Sequence, residues 1–196
     1  MVARKRKYPY LLLAVFTTVL AFSVSVFGHP NASFPNIKIK NFGQMDERFY
    51  RGAQPNEGDY KDLATLGIKT VIDLRDDPAS YERRDVEALG MHYVNIPMSD
   101  KDYPSNDQAD QFLKLVNATA TGKFFVHCAG GRHRTGVMGA VYRFTHDQWN
   151  FDKVYAEMKD YDFYTRFGHG DMKKFVEDYW QRIQTMPVAA VAGSTK

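Results

Sequence analysis

His127-Cys128-Ala129-Gly130-Gly131-Arg132-His133-Arg134-Thr135-Gly136 sets the only cysteine of the chain ahead of a glycine-containing loop that closes on arginine. Just upstream, Lys123-Phe124-Phe125-Val126 reads as a short buried strand. Downstream, Val137, Ala140, Val141 and Phe144 recur at helical spacing and Met138 widens the apolar face, which predicts a buried helix over residues 135–145. A strand feeding a tight loop into a helix N-terminus belongs to a layered α/β domain. The five residues between Cys128 and Arg134 suffice to wrap the backbone around one tetrahedral oxyanion, with N–H groups turned inward as a nest. Glycine permits the backbone angles of such a wrap. The helix end adds partial positive charge at the same point.

That setting predicts a thiolate. A free thiol titrates near pH ~8.5, and helix N-termini with neighbouring cations depress it to roughly 3.5–7.5. Arg134 supplies a planar fork for two phosphate oxygens. Thr135 follows it and is placed to donate its hydroxyl to the sulfur when the sulfur departs from phosphorus. A lone cysteine is by default a small buried hydrophobe; the Arg134-Thr135-Gly136 ending argues for Cys128 as a nucleophile instead. His127 and His133 are metal ligands by type, but one cysteine without a partner cluster does not make a structural zinc site, which wants about four ligands. His127 is read as orienting the loop and favouring the thiolate, and His133 as lining the pocket. The anion would be held by Ala129, Gly130, Gly131, Arg132, His133 and Arg134, with no metal and no cofactor.

The pattern His-Cys-x5-Arg-Thr-Gly resembles the signature of the cysteine-dependent protein tyrosine phosphatases, and more closely their dual-specificity branch with its compact atypical members from plants, fungi and bacteria. Phe49-Tyr50-Arg51-Gly52-Ala53-Gln54-Pro55 and Val71-Ile72-Asp73-Leu74-Arg75 resemble segments of bacterial members, so the likeness spans about residues 45–165. It implies a single layered domain with a central, mostly parallel sheet flanked by helices. It also implies a proton donor on a loop past a strand. Pro97-Met98-Ser99-Asp100 matches the Pro-x-x-Asp pattern there, which makes Asp100 the expected acid; Asp102 is the runner-up, and Asp107 fits better as a charge near the next helix start. Arg132-His133-Arg134 is similar to the basic loops of relatives acting on inositol phosphates or phosphoinositides, so both a phosphorylated protein and an inositol phosphate stand as substrates. Outside this class remain a sulfurtransferase and a phosphate-binding module without turnover.

Arg4-Lys5-Arg6-Lys7 precedes an apolar run over residues 11–27, the pattern of a secretory signal. Residues 1–28 are thus read as a signal peptide or an N-terminal membrane anchor, attaching through residues 8–27, and either exports the rest to a periplasmic, extracytoplasmic or surface location. The chain has 26 basic and 23 acidic residues; without the four basic residues at positions 4–7 the balance is 22 to 23, which argues against nucleic acid as partner. The roughly 160 residues that remain suit one domain. It divides into a linker with a first strand (29–44), the phosphatase domain (45–185) and a disordered tail (186–196).

Strands are expected at 37–41, 49–52, 69–74, 92–96 and 123–127. Helices are expected at 57–66, 80–89, 106–116, 135–145, 151–159 and 171–184. Tyr155, Tyr161, Phe163, Tyr164 and Phe167 are read as packing rather than as a substrate approach. Arg51, Gln54, Asp73 and Arg75 are read as buried polar supports beneath the loop.

Overall fold

The computed structural model describes residues 34–185. The signal or anchor expected over residues 1–28 and the tail over 186–196 lie outside the described residues. Among the described residues no helix is long and apolar enough to cross a membrane.

Five strands form one sheet in the order β1-β2-β5-β3-β4. They are β1 (Gly43–Gln44), β2 (Phe49–Ala53), β3 (Ile68–Arg75), β4 (His92–Met98) and β5 (Lys123–Cys128). All neighbours run parallel except β1 and β2. The helices are α1 (Tyr60–Thr65), α2 (Glu82–Ala88), α3 (Asn106–Asn117), α4 (His133–His146), α5 (Phe151–Asp160) and α6 (Gly170–Thr185).

Alternation along β5 divides the interior. Phe124, Val126 and Cys128 face a core built with α3, α4, α5 and α6, whereas Phe125 faces a second core with Tyr60 and Leu63 of α1 and Val86 of α2. Burial on both faces explains why the strand reads as a continuous apolar run. Being central, β5 delivers Cys128 to the carboxyl end of the sheet between β2 and β3, with Ala53 its register partner on β2. Ligands of open α/β sheets bind outside such strand ends. Helix α4 continues from the loop, and every residue from Arg134 to Phe144 is buried, so the helix that carries the loop is fixed on all sides.

The strand expected over 37–41 does not form. Asn41 turns left-handed at φ 52°, which breaks an extended run, and the edge pairing falls instead to Gly43–Gln44 against Tyr50 and Arg51. Helix α1 begins at Tyr60, later than expected, because residues 56–59 close a turn in which Asp59 Oδ2 accepts the Asn56 amide at 2.8 Å. Helix α4 begins two residues earlier than expected, which brings His133 and Arg134 into its first turn. The start of α3 carries a full capping box between Ser105 and Gln108.

Candidate active site

Three loop carbonyls are claimed from outside. The Gln54 amide donates to Ala129 O at 3.3 Å, Asn41 Nδ2 to Gly130 O at 3.0 Å and Arg51 Nη2 to Gly131 O at 2.8 Å. With those oxygens turned out toward the protein, the loop amides are left for the concave side. Arg51 is fully buried and its guanidinium lies 3.9 Å over the Tyr161 ring, so the loop rests on a rigid platform. Gly131 sits at φ +65°, and a Cβ there would lie 2.5 Å from the carbonyl carbon of Gly52. Only glycine lets the loop approach β2 this closely.

The concave side is a cavity of about 180 Å³ lined by Asp100, Cys128, Ala129, Gly130, Arg132, His133, Arg134, Tyr164 and His169. Burial pushes the Cys128 thiol up, but the Thr135 hydroxyl and amide, the Arg134 charge and the Arg132 amide outweigh it and hold the thiol below its ordinary value. Arg134 is buried, and its Nη1 donates to Asp76 Oδ1 at 2.9 Å and to Met98 O at 3.0 Å. Asp100 reaches the cavity, whereas Asp102 lines a separate depression with Tyr103, Pro104 and Gln108.

His127 points away from the cavity. Its ring stacks on Phe125 on the opposite face of the sheet from Cys128, and its Nε2 pairs with Glu82 Oε1 at 2.8 Å, with Asp73 Oδ1 at 3.9 Å. All three residues are fully buried. Burial pulls the imidazole down, yet Glu82, Asp73 and the Cys128 sulfur outweigh it and the net shift is upward. Glu82 is correspondingly held below the ordinary carboxylate range despite burial, chiefly by His127, and burial pushes Asp73 up. The three donor sets lie within 4.8 Å of one another. Their oxygens also accept bonds from Gln54 Nε2 at 2.9 Å, Tyr93 Oη at 2.9 Å and the Arg75 amide at 2.8 Å, which makes this an ion-pair network behind the strand. His127 is thus coupled to the Cys128 sulfur through charge across the strand and is not a hydrogen-bond partner of the loop.

Of the four residues read as buried polar supports, Arg51 and Asp73 are buried whereas Gln54 and Arg75 are half-buried; Gln54 links Glu82 to Arg75, accepting from Arg75 Nη1 at 2.8 Å. Tyr161 and Phe163 are core residues and Tyr155 packs on that core, while Tyr164 lines the cavity and Phe167 is 77% exposed, so the aromatic cluster is only partly packing. Sequence reasoning passed over Asn41, Asp76, Glu82 and His169. None carries a motif signal; each becomes visible through a contact distant in sequence.

The sequence model of one family, "DSP-PTPase phosphatase fused to NAD+ Kinase", matches residues 32–177. A probable tyrosine-protein phosphatase of Dictyostelium discoideum, DG1060, is 28% identical over 151 residues, which are 74% of this chain and 86% of the relative. The dual specificity protein phosphatase TpbA of Pseudomonas aeruginosa is 27% identical over 132 residues, 67% of this chain and 56% of the relative. Among solved structures, the catalytic core of the PP-IP phosphatase SIW14 from S. cerevisiae superposes with a TM-score of 0.65 at 20% identity, over 80% of this chain and 94% of that one.

Proposed function

The chain belongs to the DSP-PTPase phosphatase family, and from that premise we propose that it hydrolyses phosphoric monoesters in two steps on Cys128. In the first, the Sγ–P bond forms as the ester P–O bond breaks, and the Asp100 carboxyl gives its proton to the leaving oxygen. In the second, water attacks phosphorus, its proton passes to Asp100, and the sulfur leaves toward the Thr135 hydroxyl. Arg134 and the inward loop amides hold the equatorial oxygens through both steps, stabilising charge where it develops. The observation that carries this reading is the depressed thiol at the floor of a loop whose Ala129, Gly130 and Gly131 carbonyls are claimed from behind.

The substrate we assign is a phosphorylated protein, with phosphotyrosine suited by the Tyr164 face at the rim of a cavity of about 180 Å³. Arg132, which also lines the cavity, favours an inositol phosphate as the second reading. The basic and then apolar order of residues 4–27 supports an exported or membrane-anchored enzyme.

The test is phosphate release by the full chain from an aryl phosphate, a phosphotyrosine peptide and inositol hexakisphosphate, in chelator, with Cys128→Ser and Asp100→Asn alongside. Release that is lost in Cys128→Ser and indifferent to chelator is expected, with the phosphopeptide ranked above the inositol phosphate. Phosphate-analogue binding without release from any substrate would leave a binding module.

A further inference from the structure

The loop that carries Asp100 has little to hold it from within. Its internal bonds are those from the Lys101 and Asp102 amides to Ser99 Oγ, at 3.4 and 3.2 Å. From outside, the Asp100 carbonyl meets His169 Nδ1 at 3.0 Å. A carbonyl only accepts, so this nitrogen carries the proton and donates. His169 is brought there by two consecutive left-handed residues, Phe167 at φ 60° and Gly168 at φ 93°. Against Gly168 lies the stem of Lys101, whose Cδ is 3.4 Å from where a Cβ would be, so the two loops touch at a second point.

The same His169 ring is stacked on His133 of the cradle, with centroids 3.5 Å apart and planes 13° from parallel. Tyr164 packs edge-on against both rings, at 4.4 Å from His133 and 5.5 Å from His169. His169 is 9% exposed and His133 and Tyr164 line the cavity with it. Burial, His169 and Arg132 hold the His133 imidazole down to about 4, so the lower ring of the stack is neutral at physiological pH. One side chain therefore ties the acid loop to the first turn of the helix that carries Arg134.

We propose that His169 is a positioning residue for proton transfer, a clamp whose hydrogen bond to the Asp100 backbone and stack on His133 hold the Asp100 carboxyl over the cradle. This rests on the two-step phosphatase reading above. A general acid acts only within about 2.6–3.2 Å of the oxygen it protonates, and misplacement by about 1 Å costs on the order of 10²-fold. Loss of the clamp is therefore felt by substrates whose leaving group needs the proton and hardly by those whose leaving group departs as a stable anion.

The experiment compares kcat/KM of wild type, His169→Ala and His169→Asn on phenyl phosphate and on 2,4-dinitrophenyl phosphate. For His169→Ala, a fall of about tenfold or more on the phenyl ester with less than about twofold on the dinitrophenyl ester is expected, within the ~10²–10⁴-fold a general acid supplies. His169→Asn, whose amide N–H can still donate to the Asp100 carbonyl, regains part of the phenyl activity. Equal losses on both esters, or none, overturn the proposal. Amide hydrogen exchange reads the clamp without turnover: residues 99–103 exchange about tenfold faster in His169→Ala while β5 does not change. Unchanged exchange there refutes the clamp even if the chain proves inactive, whereas absence of Cys128-dependent release from wild type, with faster exchange in the variant, refutes the phosphatase reading and leaves the clamp standing.

Discussion

Replacing Glu82 by Gln removes one charge from a fully buried pair. Glu82 and His127 are both fully buried with 2.8 Å between Oε1 and Nε2. Removing one partner of a buried pair costs about 3–5 kcal/mol, because the other charge is left uncompensated. At a urea m-value of ~2 kcal/mol per M, that lowers the unfolding midpoint by about 1.5–2.5 M. The cost depends on pH. The folded His127 imidazole sits above its unfolded value, so its share of stability is complete below the ordinary imidazole range of about 6.5 and fades as pH rises through the folded value. Glu82 is depressed, so its share is complete above the ordinary carboxylate range of about 4.3 and fades as pH falls through the folded value. The gap between wild type and Glu82→Gln is therefore widest between about pH 4.3 and 6.5 and narrows on the alkaline side. Urea titrations followed by the fluorescence of Trp149 and Trp180, repeated from pH 5 to 9, measure it. A loss below about 1 kcal/mol at pH 6, or one independent of pH, refutes the reasoning, since a buried ionised pair gives neither result. The same variant should raise the pH midpoint of Cys128 alkylation, because His127 without the Glu82 carboxylate no longer has its main support against burial and gives up its proton, and with it the positive charge behind the sulfur.

Gly131→Ala forces a left-handed residue against β2, with its Cβ 2.5 Å from Gly52; wild-type-like vanadate affinity in this variant would contradict the cradle geometry. Asp76→Ala frees Arg134 from a carboxylate that is 52% exposed on its side chain, so the exchange is worth at most about 1 kcal/mol, and vanadate should bind up to about fivefold tighter in inhibition assays. Thr135→Ala removes the hydroxyl that faces the sulfur; rapid-quench kinetics should then show a burst of released alcohol followed by a slow phase, and a uniform slowing of both phases would count against its role in the second step. Because the Cys128 thiol is depressed, kcat/KM should persist below the ordinary thiol range and fall only as acid protonates the sulfur, whereas a profile rising through pH ~8.5 would indicate an unperturbed thiol.

The strand, loop and helix around Cys128 were legible because each announces itself locally: an apolar run, glycines before an arginine, then side chains at helical spacing. The place of Asp100, just past β4 and on the wall of the cavity, was readable as well. Residues 37–41 misled because Ile37 and Ile39 show the alternation of a strand, while the left-handed turn at Asn41 is dictated by what Asn41 holds, Gly130 O and Tyr161 O, both far along the chain. Glu82 lies in a helix start rich in charge, where an acid is expected in water; only the fold places His127 above it. His169 and Asp76 likewise look like loop polar residues until β4, α4 and α6 are assembled around them. What the sequence conceals here is the set of side chains that hold the loop from behind.

Those supports come from both sides of the loop in the chain, Asn41 and Arg51 well before Cys128 and Tyr161 well after it. During synthesis the cysteine emerges before the ring on which Arg51 rests, and before the segment on which Asn41 closes. The acidity of the sulfur is thus a property of the completed chain, and an unfinished or unfolded one exposes an ordinary thiol, slow to react with oxidants. The hazard that accompanies a reactive cysteine arises only together with the fold that puts it to use.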